Sequence, residues 1–429
     1  MEGIHRIKSF PVKDIGTMEW FSNQQEIVKL HQNIISEMKD GDQSLTARII
    51  QEEGTTAVIL QEMIALSVWK TQVLTEIKKK DVLDQVFPVY SILFFESVCA
   101  SVLLSVMYCN EADLINMFEE EVLCELVDHC VQHIVLLIGM TNNKSPINLQ
   151  ASTLDESLSN SQRIVQFQRD LQYQVCNILL SILRLVIDHI EDLSLSLVTR
   201  LVQYHDVAML LVRLVENQAW ISRDKEGNEI KYNDTWTAAH PEDRFILGKY
   251  EAQTWKMLLD LLMHPKAAEL YEISVYRKNE LLKLEKHLHE IIIDQFPALH
   301  CFRQWFAQLK MTNGRNVAPK PLVLEMETDS IRTKLEREDW SAITEQTVSM
   351  LNNVDYLKEI AAKHSNIYVD FEKLYETGRK ASSGEGNPRL CSTCDSKAVF
   401  KCSRCRQVWY CNKTCQTKHW GVHKKFCQA

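Results

Sequence analysis

Eight thiol and imidazole side chains crowd the C-terminal part of this sequence at spacings that chelate metal. They are Cys391, Cys394, Cys402, Cys405, Cys411, Cys415, His423 and Cys427. Cys391/Cys394 and Cys402/Cys405 are Cys-x2-Cys pairs, and a tight turn can aim both sulfurs of such a pair at one ion. Cys411/Cys415 and His423/Cys427 are each four apart, which suits one face of a helical turn. Eight soft or borderline donors suffice for two tetrahedral zinc ions. The natural pairing is cross-braced. Cys391, Cys394, Cys411 and Cys415 take one ion; Cys402, Cys405, His423 and Cys427 take the other. Interleaving ties together a segment too short to bury a sufficient core. Full protein coordination leaves no position for water, so both sites are expected to be structural rather than catalytic.

The remaining composition fits that chemistry. Of thirteen cysteines, seven lie in this cluster. An odd cluster, with no apolar run in the first twenty residues to act as a signal, argues for metal in a reducing compartment rather than disulfides. The other six, Cys99, Cys109, Cys124, Cys130, Cys176 and Cys301, sit in apolar helix-like surroundings and read as small buried hydrophobes. Net charge is −9 over 429 residues. From Arg389 onward the formal charge is +8, so the preceding chain carries −17. A basic tail on an acidic body can indicate nucleic acid. Two zinc ions add four positive charges and seven thiolates subtract seven, which leaves the loaded tail near +5 and weakens that reading.

The elements that must carry this module are helical. Only 12 glycines are present, a scarcity that favours helices over turn-rich strands. Ile27, Leu30, Ile34, Ile35 and Met38 recur on one helical face, and Ile59, Met63, Leu66, Trp69, Val73 and Ile77 on another. The apolar stretch 90–108 is nearly long enough to span a bilayer. Glu96 and several serines interrupt it, so a buried core helix is expected. Helices are predicted over 113–138 and 163–192, around a polar loop at about 142–161. Two short helices break near Tyr204, His205 and Asp206. The stretch at about 220–236 alternates around Lys225-Glu226-Gly227-Asn228 and reads as a projecting hairpin. Further helices are predicted over 270–294, 302–311, 329–352 and 354–375. The expected fold is mostly α, with an irregular or armadillo/HEAT-like helical body over 1–380. A flexible Ser/Gly/Pro linker covers 381–390, and the zinc module covers 391–427.

Trp409-Tyr410-Cys411, together with His419-Trp420 ahead of His423, makes the tail resemble the MYND zinc finger. A RING finger would place a histidine after its third cysteine. A HIT-type finger is the nearer rival, but the His-Trp-x2-His-x3-Cys ending favours MYND. The resemblance implies protein recognition by strand addition of short proline-containing peptides. Gln416 and Trp420 match the groove positions, and Trp420 is also placed to pack over the zinc core. His419 lies outside the eight-ligand set. In the body, ILQEMIALSVWKTQVL, VFPVYSILFFES, LSLSLVTRLVQYHDVAMLLVRLVENQAW, and LVLEME followed by RTKLERE occur in order. Nearly the whole chain thereby resembles the MYND-type zinc-finger proteins that assist cytoplasmic pre-assembly of axonemal dynein arms. That resemblance implies a non-enzymatic adaptor in the cytoplasm, at centriolar satellites or dynein assembly foci. Its implied partners are heat-shock chaperones, an immunophilin co-chaperone and a leucine-rich-repeat assembly factor, with dynein chains as clients. The competing reading is a MYND-type transcriptional co-regulator.

No catalytic motif competes. His287, His289 and Glu290 approach a zinc-protease helix, but position 293 is isoleucine. Gly384-x-Gly386 follows no strand and reads as linker. MYND-bearing lysine methyltransferases interrupt a SET domain near the N-terminus, whereas this tail is C-terminal and the Asn-His-Ser-Cys type of SET motif is missing. His129 and His133, beside Asp128 and Cys130, stand four apart. With no further ligand nearby in sequence, they are expected on a surface or half-buried helix. The 119–121 acidic run reads as a solvated face.

Overall fold

The computed structural model describes residues 7–40, 44–80, 83, 85–142, 159–239, 246–312, 330–363, 398, 400–402, 404, 408–424 and 427. The body is a stack of helices: α1 (Met18–Asp40), α2 (Leu45–Glu52), α3 (Thr55–Trp69), α4 (Thr75–Lys80), α5 (Phe87–Cys109), α6 (Glu120–Asn142), α7 (Asn160–Asp188), α8 (Leu195–Thr199), α9 (Val207–Glu216) and α10 (Lys249–Met263). Shorter helices follow to residue 363. The polar loop predicted at 142–161 and the linker at 381–390 fall almost wholly outside the described residues.

The central helix α5 is apolar all round, and its neighbours α1, α3 and α7 pack against it. A helix without a polar face must be enclosed. Trp20 and Phe21 of α1 meet Phe95 of α5 edge-on, with ring centroids 5.4 and 6.0 Å away. Each fully buried ring of this kind contributes about 2–3 kcal/mol by leaving water. Among the described residues, four helices (α3 with its continuation, α5, α6, α7) are long and apolar enough to cross a membrane by length and composition. Their apolar windows are 56–72% buried within the fold. The 90–108 stretch is thus a core helix, begun by Pro88 in its first turn.

Local sequence explains the joints. Gly54, at φ +66°, turns α2 into α3. Ser159 and Gln162 form a capping box at the start of α7. Asp206, at φ +48°, separates α8 and its π-helical continuation from α9, at the break expected near 204–206. The expected 220–236 hairpin is a three-stranded antiparallel meander: β1 (Ile221–Arg223), β2 (Glu229–Asn233) and β3 (Thr235–Ala238). Registers Ser222↔Ile230 and Tyr232↔Trp236 align it, and Gly227 supplies the left-handed turn residue. Tyr232 and Trp236 pack on Tyr173 of α7, which seats the meander on the body.

Several sequence expectations change. The predicted 270–294 helix is three pieces, Val275–Lys283, a 3-10 turn Leu284–His287 and Glu290–Gln295. The 113–138 helix starts only at Glu120, after a separate 3-10 segment Glu111–Met117. The 329–352 helix is split into Ile331–Glu336 and Trp340–Leu351, because Asp339 caps the second. Ile35 points outward, 38% exposed, and Cys301 is exposed rather than buried.

The N-terminal strap is held by the buried carboxyl of Glu62, which no cation pairs with among the described residues. Glu62 accepts from Phe10 N (2.8 Å), Trp20 Nε1 (3.1 Å) and Gln24 Nε2 (2.8 Å). Burial pushes its pKa up, the three N–H donors pull it partly back, and it stands at about 7. A raised carboxyl pKa means the folded state binds the proton more tightly. Its stabilisation is complete below the ordinary 4.5 and is lost as pH rises through about 7. Wild type should therefore lose stability on the order of 3 kcal/mol through this window relative to Glu62→Leu. Denaturant titrations at pH 5 and 8 read this; parallel pH slopes for both proteins would count against it.

Candidate metal centre

The zinc module is built on a short hairpin and one helix. Phe400–Lys401 pairs antiparallel with Trp409–Tyr410, in the register Phe400↔Tyr410 and Lys401↔Trp409. Cys402 N donates to Val408 O at 2.8 Å and closes the hairpin. Asn412 then caps the helix Lys413–His423, its Oδ1 accepting from Cys415 N at 2.9 Å. That cap places Cys411 and Cys415 at a helix N-terminus, where the backbone dipole favours thiolate. Ala398, Cys402, Val408, Tyr410 and Cys427 form a buried cluster of their own. A segment this short buries little apolar surface, so bound metal is the expected source of its stability.

The donor atoms converge. Cys402 Sγ lies 3.8 Å from Cys427 Sγ and 3.3 Å from His423 Nε2. All three donors are buried and lie within 4.8 Å of one another. Ligands about 2.3 Å (sulfur) and 2.0 Å (nitrogen) from a tetrahedral zinc are separated by about 3.8 Å and 3.5 Å. The observed edges match. Nε2 is the nitrogen that faces the sulfurs. Cys411 and Cys415 Sγ are 3.6 Å apart, close to the sulfur–sulfur edge of a tetrahedral zinc site. Cys391, Cys394 and Cys405, the remaining predicted ligands, lie outside the described residues. The described donors lie in two groups, Cys411 with Cys415 and Cys402 with His423 and Cys427.

Aromatic rings wall in His423. Tyr410 approaches it at 6.4 Å between centroids, His419 stacks on it at 5.7 Å, and Trp420 meets it edge-on at 5.7 Å. His419 Nδ1 is 3.0 Å from Tyr410 Oη, so this histidine braces the helix against the hairpin. Spacing alone left its role undefined. Trp420 remains 38% exposed, and Gln416, one turn earlier, is half-buried. Trp420 therefore covers the metal ligand with one edge and offers the other to solvent.

Residues 391–427 match the family model of the MYND finger. The chain carries a MYND zinc finger. Over 99% of its length it is 25% identical to the zinc finger MYND domain-containing protein 10 homolog of Drosophila melanogaster, covering 96% of that protein. The N-lysine methyltransferase SMYD2-B of Danio rerio is 43% identical over 42 residues, 9% of this chain and 10% of the enzyme. The ubiquitin C-terminal hydrolase 15 of Oryza sativa subsp. japonica is 43% identical over 51 residues, 12% of this chain and 5% of that protein. Such short matches do not carry those enzymes' activities to this chain. No solved structure matches.

Removing the exposed tryptophan tests the groove separately from the metal. Trp420→Ala should retain zinc, because no ligand is lost, while partner capture by the finger falls about tenfold, the loss of roughly 1.4 kcal/mol from one buried aromatic contact. Gln416→Ala should act in the same direction. Binding at wild-type strength by zinc-replete variants would place recognition elsewhere.

Proposed function

We propose that this chain is a non-enzymatic adaptor for cytoplasmic pre-assembly of inner and outer axonemal dynein arms, required for motile cilia. The observation that carries the reading is collinear similarity across 99% of the chain to one MYND-domain protein, so body and finger come as a unit. Two zinc ions per chain hold the finger, in the cross-braced arrangement that the described donors favour. Four protein ligands at each ion leave no position for water or substrate, which suits a scaffold.

On this reading the finger recruits the leucine-rich-repeat assembly factor through the Gln416/Trp420 face. The acidic helical body serves the heat-shock chaperones, the immunophilin co-chaperone and the dynein chains. Tethering two contacts in one chain raises the effective concentration of the second, so weak individual contacts suffice. The work takes place in the cytoplasm, at centriolar satellites or dynein assembly foci. In cells lacking the protein, dynein heavy and intermediate chains should be unstable, both arm types missing and cilia of normal number immotile. Normal dynein levels and cytoplasmic assembly would reject the proposal. Recovery on chromatin instead of with chaperones would favour the co-regulator reading.

A further inference from the structure

A polar cluster lies inside the helical body, far in sequence from the finger. Glu96 stands on α5; His129 and His133 stand one turn apart on α6. The three residues are 1–2% exposed. This corrects the expectation that the two histidines lie on a surface or half-buried helix. Glu96 Oε1 and His133 Nε2 form a direct pair at 3.5 Å, and Lys70 Nζ takes Glu96 Oε2. The two imidazole rings lie against each other, with centroids 4.4 Å apart. Charge attraction is strongest where water is excluded, so the strength of this cluster depends on what keeps water out.

One short element closes it from outside. The Ile331–Glu336 helix packs on α3 and reaches α6. None of its residues is buried; Ile331 and Leu335 rest half-buried against the core. Ile331 N donates to Glu125 Oε1 of α6 at 2.7 Å. Arg332 Nη2 reaches Ser67 Oγ of α3 at 3.3 Å and His129 Nδ1 at 3.4 Å.

Arg332 is an unusual fastening. A guanidinium withdrawn from water is ordinarily matched by a carboxylate in a close, forked pair. Among the described residues, the ion-pair partner of Arg332 is Glu336 of its own helix, at 3.9 Å, although the side chain is only 20% exposed. The groups it does reach on α3 and α6 are a hydroxyl and a ring nitrogen, both at the long end of hydrogen-bond range. Burial lowers the Arg332 pKa, and Glu336, Glu96 and Glu125 restore only part of the loss. The cation is attracted toward the cluster without being locked to it.

We propose that the Ile331–Glu336 helix is a releasable cover, held by attraction of Arg332 to Glu125 and Glu96, whose lifting admits water to the Lys70–Glu96–His133 cluster. Lifting it breaks no part of the apolar core, because the helix contributes no buried side chain. Segments attached in this way open locally, well below the free energy of global unfolding. The cover thus gates a charged spot between α3, α5 and α6 while the rest of the body stays folded.

Native-state hydrogen exchange of the zinc-loaded full chain tests the cover. Amides of 331–336 should exchange at least roughly tenfold faster than those of α5 and α7, through an opening insensitive to low denaturant. Protection equal to that of α5 and α7 would overturn the proposal. Two variants separate the anchoring charge from ordinary fraying. Glu125→Gln keeps an acceptor for Ile331 N but removes a charge that attracts Arg332, so exchange over 331–336 should speed several-fold. Ser67→Asp supplies the close carboxylate that the guanidinium lacks, so exchange there should slow by about tenfold. Wild-type exchange over 331–336 in the folded Glu125→Gln variant would overturn the role given to Arg332. So would a folded Ser67→Asp variant that shows no slowing.

Discussion

Cys402→Ala is expected to abolish the fold of the finger, not merely to weaken one ligand set. Cys402 is 1% exposed. Its sulfur spans to both Cys427 and His423, and its backbone N–H closes the hairpin. A structural zinc supplies on the order of 10–16 kcal/mol of apparent binding energy at neutral pH, and in small modules that is folding energy. The buried cluster among the finger's described residues offers nothing comparable. Loss of one thiolate should release its ion and uncouple the hairpin from the Lys413–His423 helix, exposing the other ligands. Trypsin should then digest the tail rapidly, since the segment from Arg389 carries nine Lys/Arg residues. Metal analysis and limited proteolysis read both effects together. A variant with full zinc content and a protected tail would sink the prediction. A chelator should reproduce the effect in wild type while leaving the helical signal of the body intact.

The second large effect belongs to Lys70→Met. Lys70 lies in the π-helical turn that continues α3, a distortion that aims its ammonium inward. It pairs with Glu96 and donates to Gln172 Oε1 at 2.7 Å, with side chains 7% and 2% exposed for the ion pair. Burial raises the Glu96 pKa, but Lys70 and His133 more than offset it, so the carboxyl stands below its usual range. With a depressed pKa, the pair's stabilisation is present above the unfolded value and is lost as pH falls through the folded one. Removing the lysine leaves a buried carboxylate without its counter-charge, a cost of about 3–5 kcal/mol. Chemical denaturation at pH 7 should show that loss. Lys70→Met combined with Glu96→Leu should recover a large part of it, because an apolar replacement needs no partner. A single variant as stable as wild type, or a double variant no better than the single, would show that the pair carries no such energy.

Legibility from residue order followed the range of each interaction. Chelation is local: bond lengths and tetrahedral angles restrict which spacings can hold an ion, so the candidate donors of the finger were readable from their spacing alone. Helical periodicity is local too, which is why the apolar stripe through Ile59 and Trp69, the break at Asp206 and the core helix containing Glu96 were readable. Pairings between distant segments were not. His129 and His133 looked like surface residues because nothing near them in sequence could share their site. The packing of α5 and α6 against α7 and α3 delivers Glu96, and Arg332 arrives from near the far end of the body. The third strand at Thr235–Ala238 rests likewise on Tyr173 of α7, and the Val275–Lys283 piece of 270–294 packs on α9. Periodicity tells which face of an element is apolar. It does not tell which neighbour covers a polar residue, because that depends on the packing of chain segments tens or hundreds of residues apart.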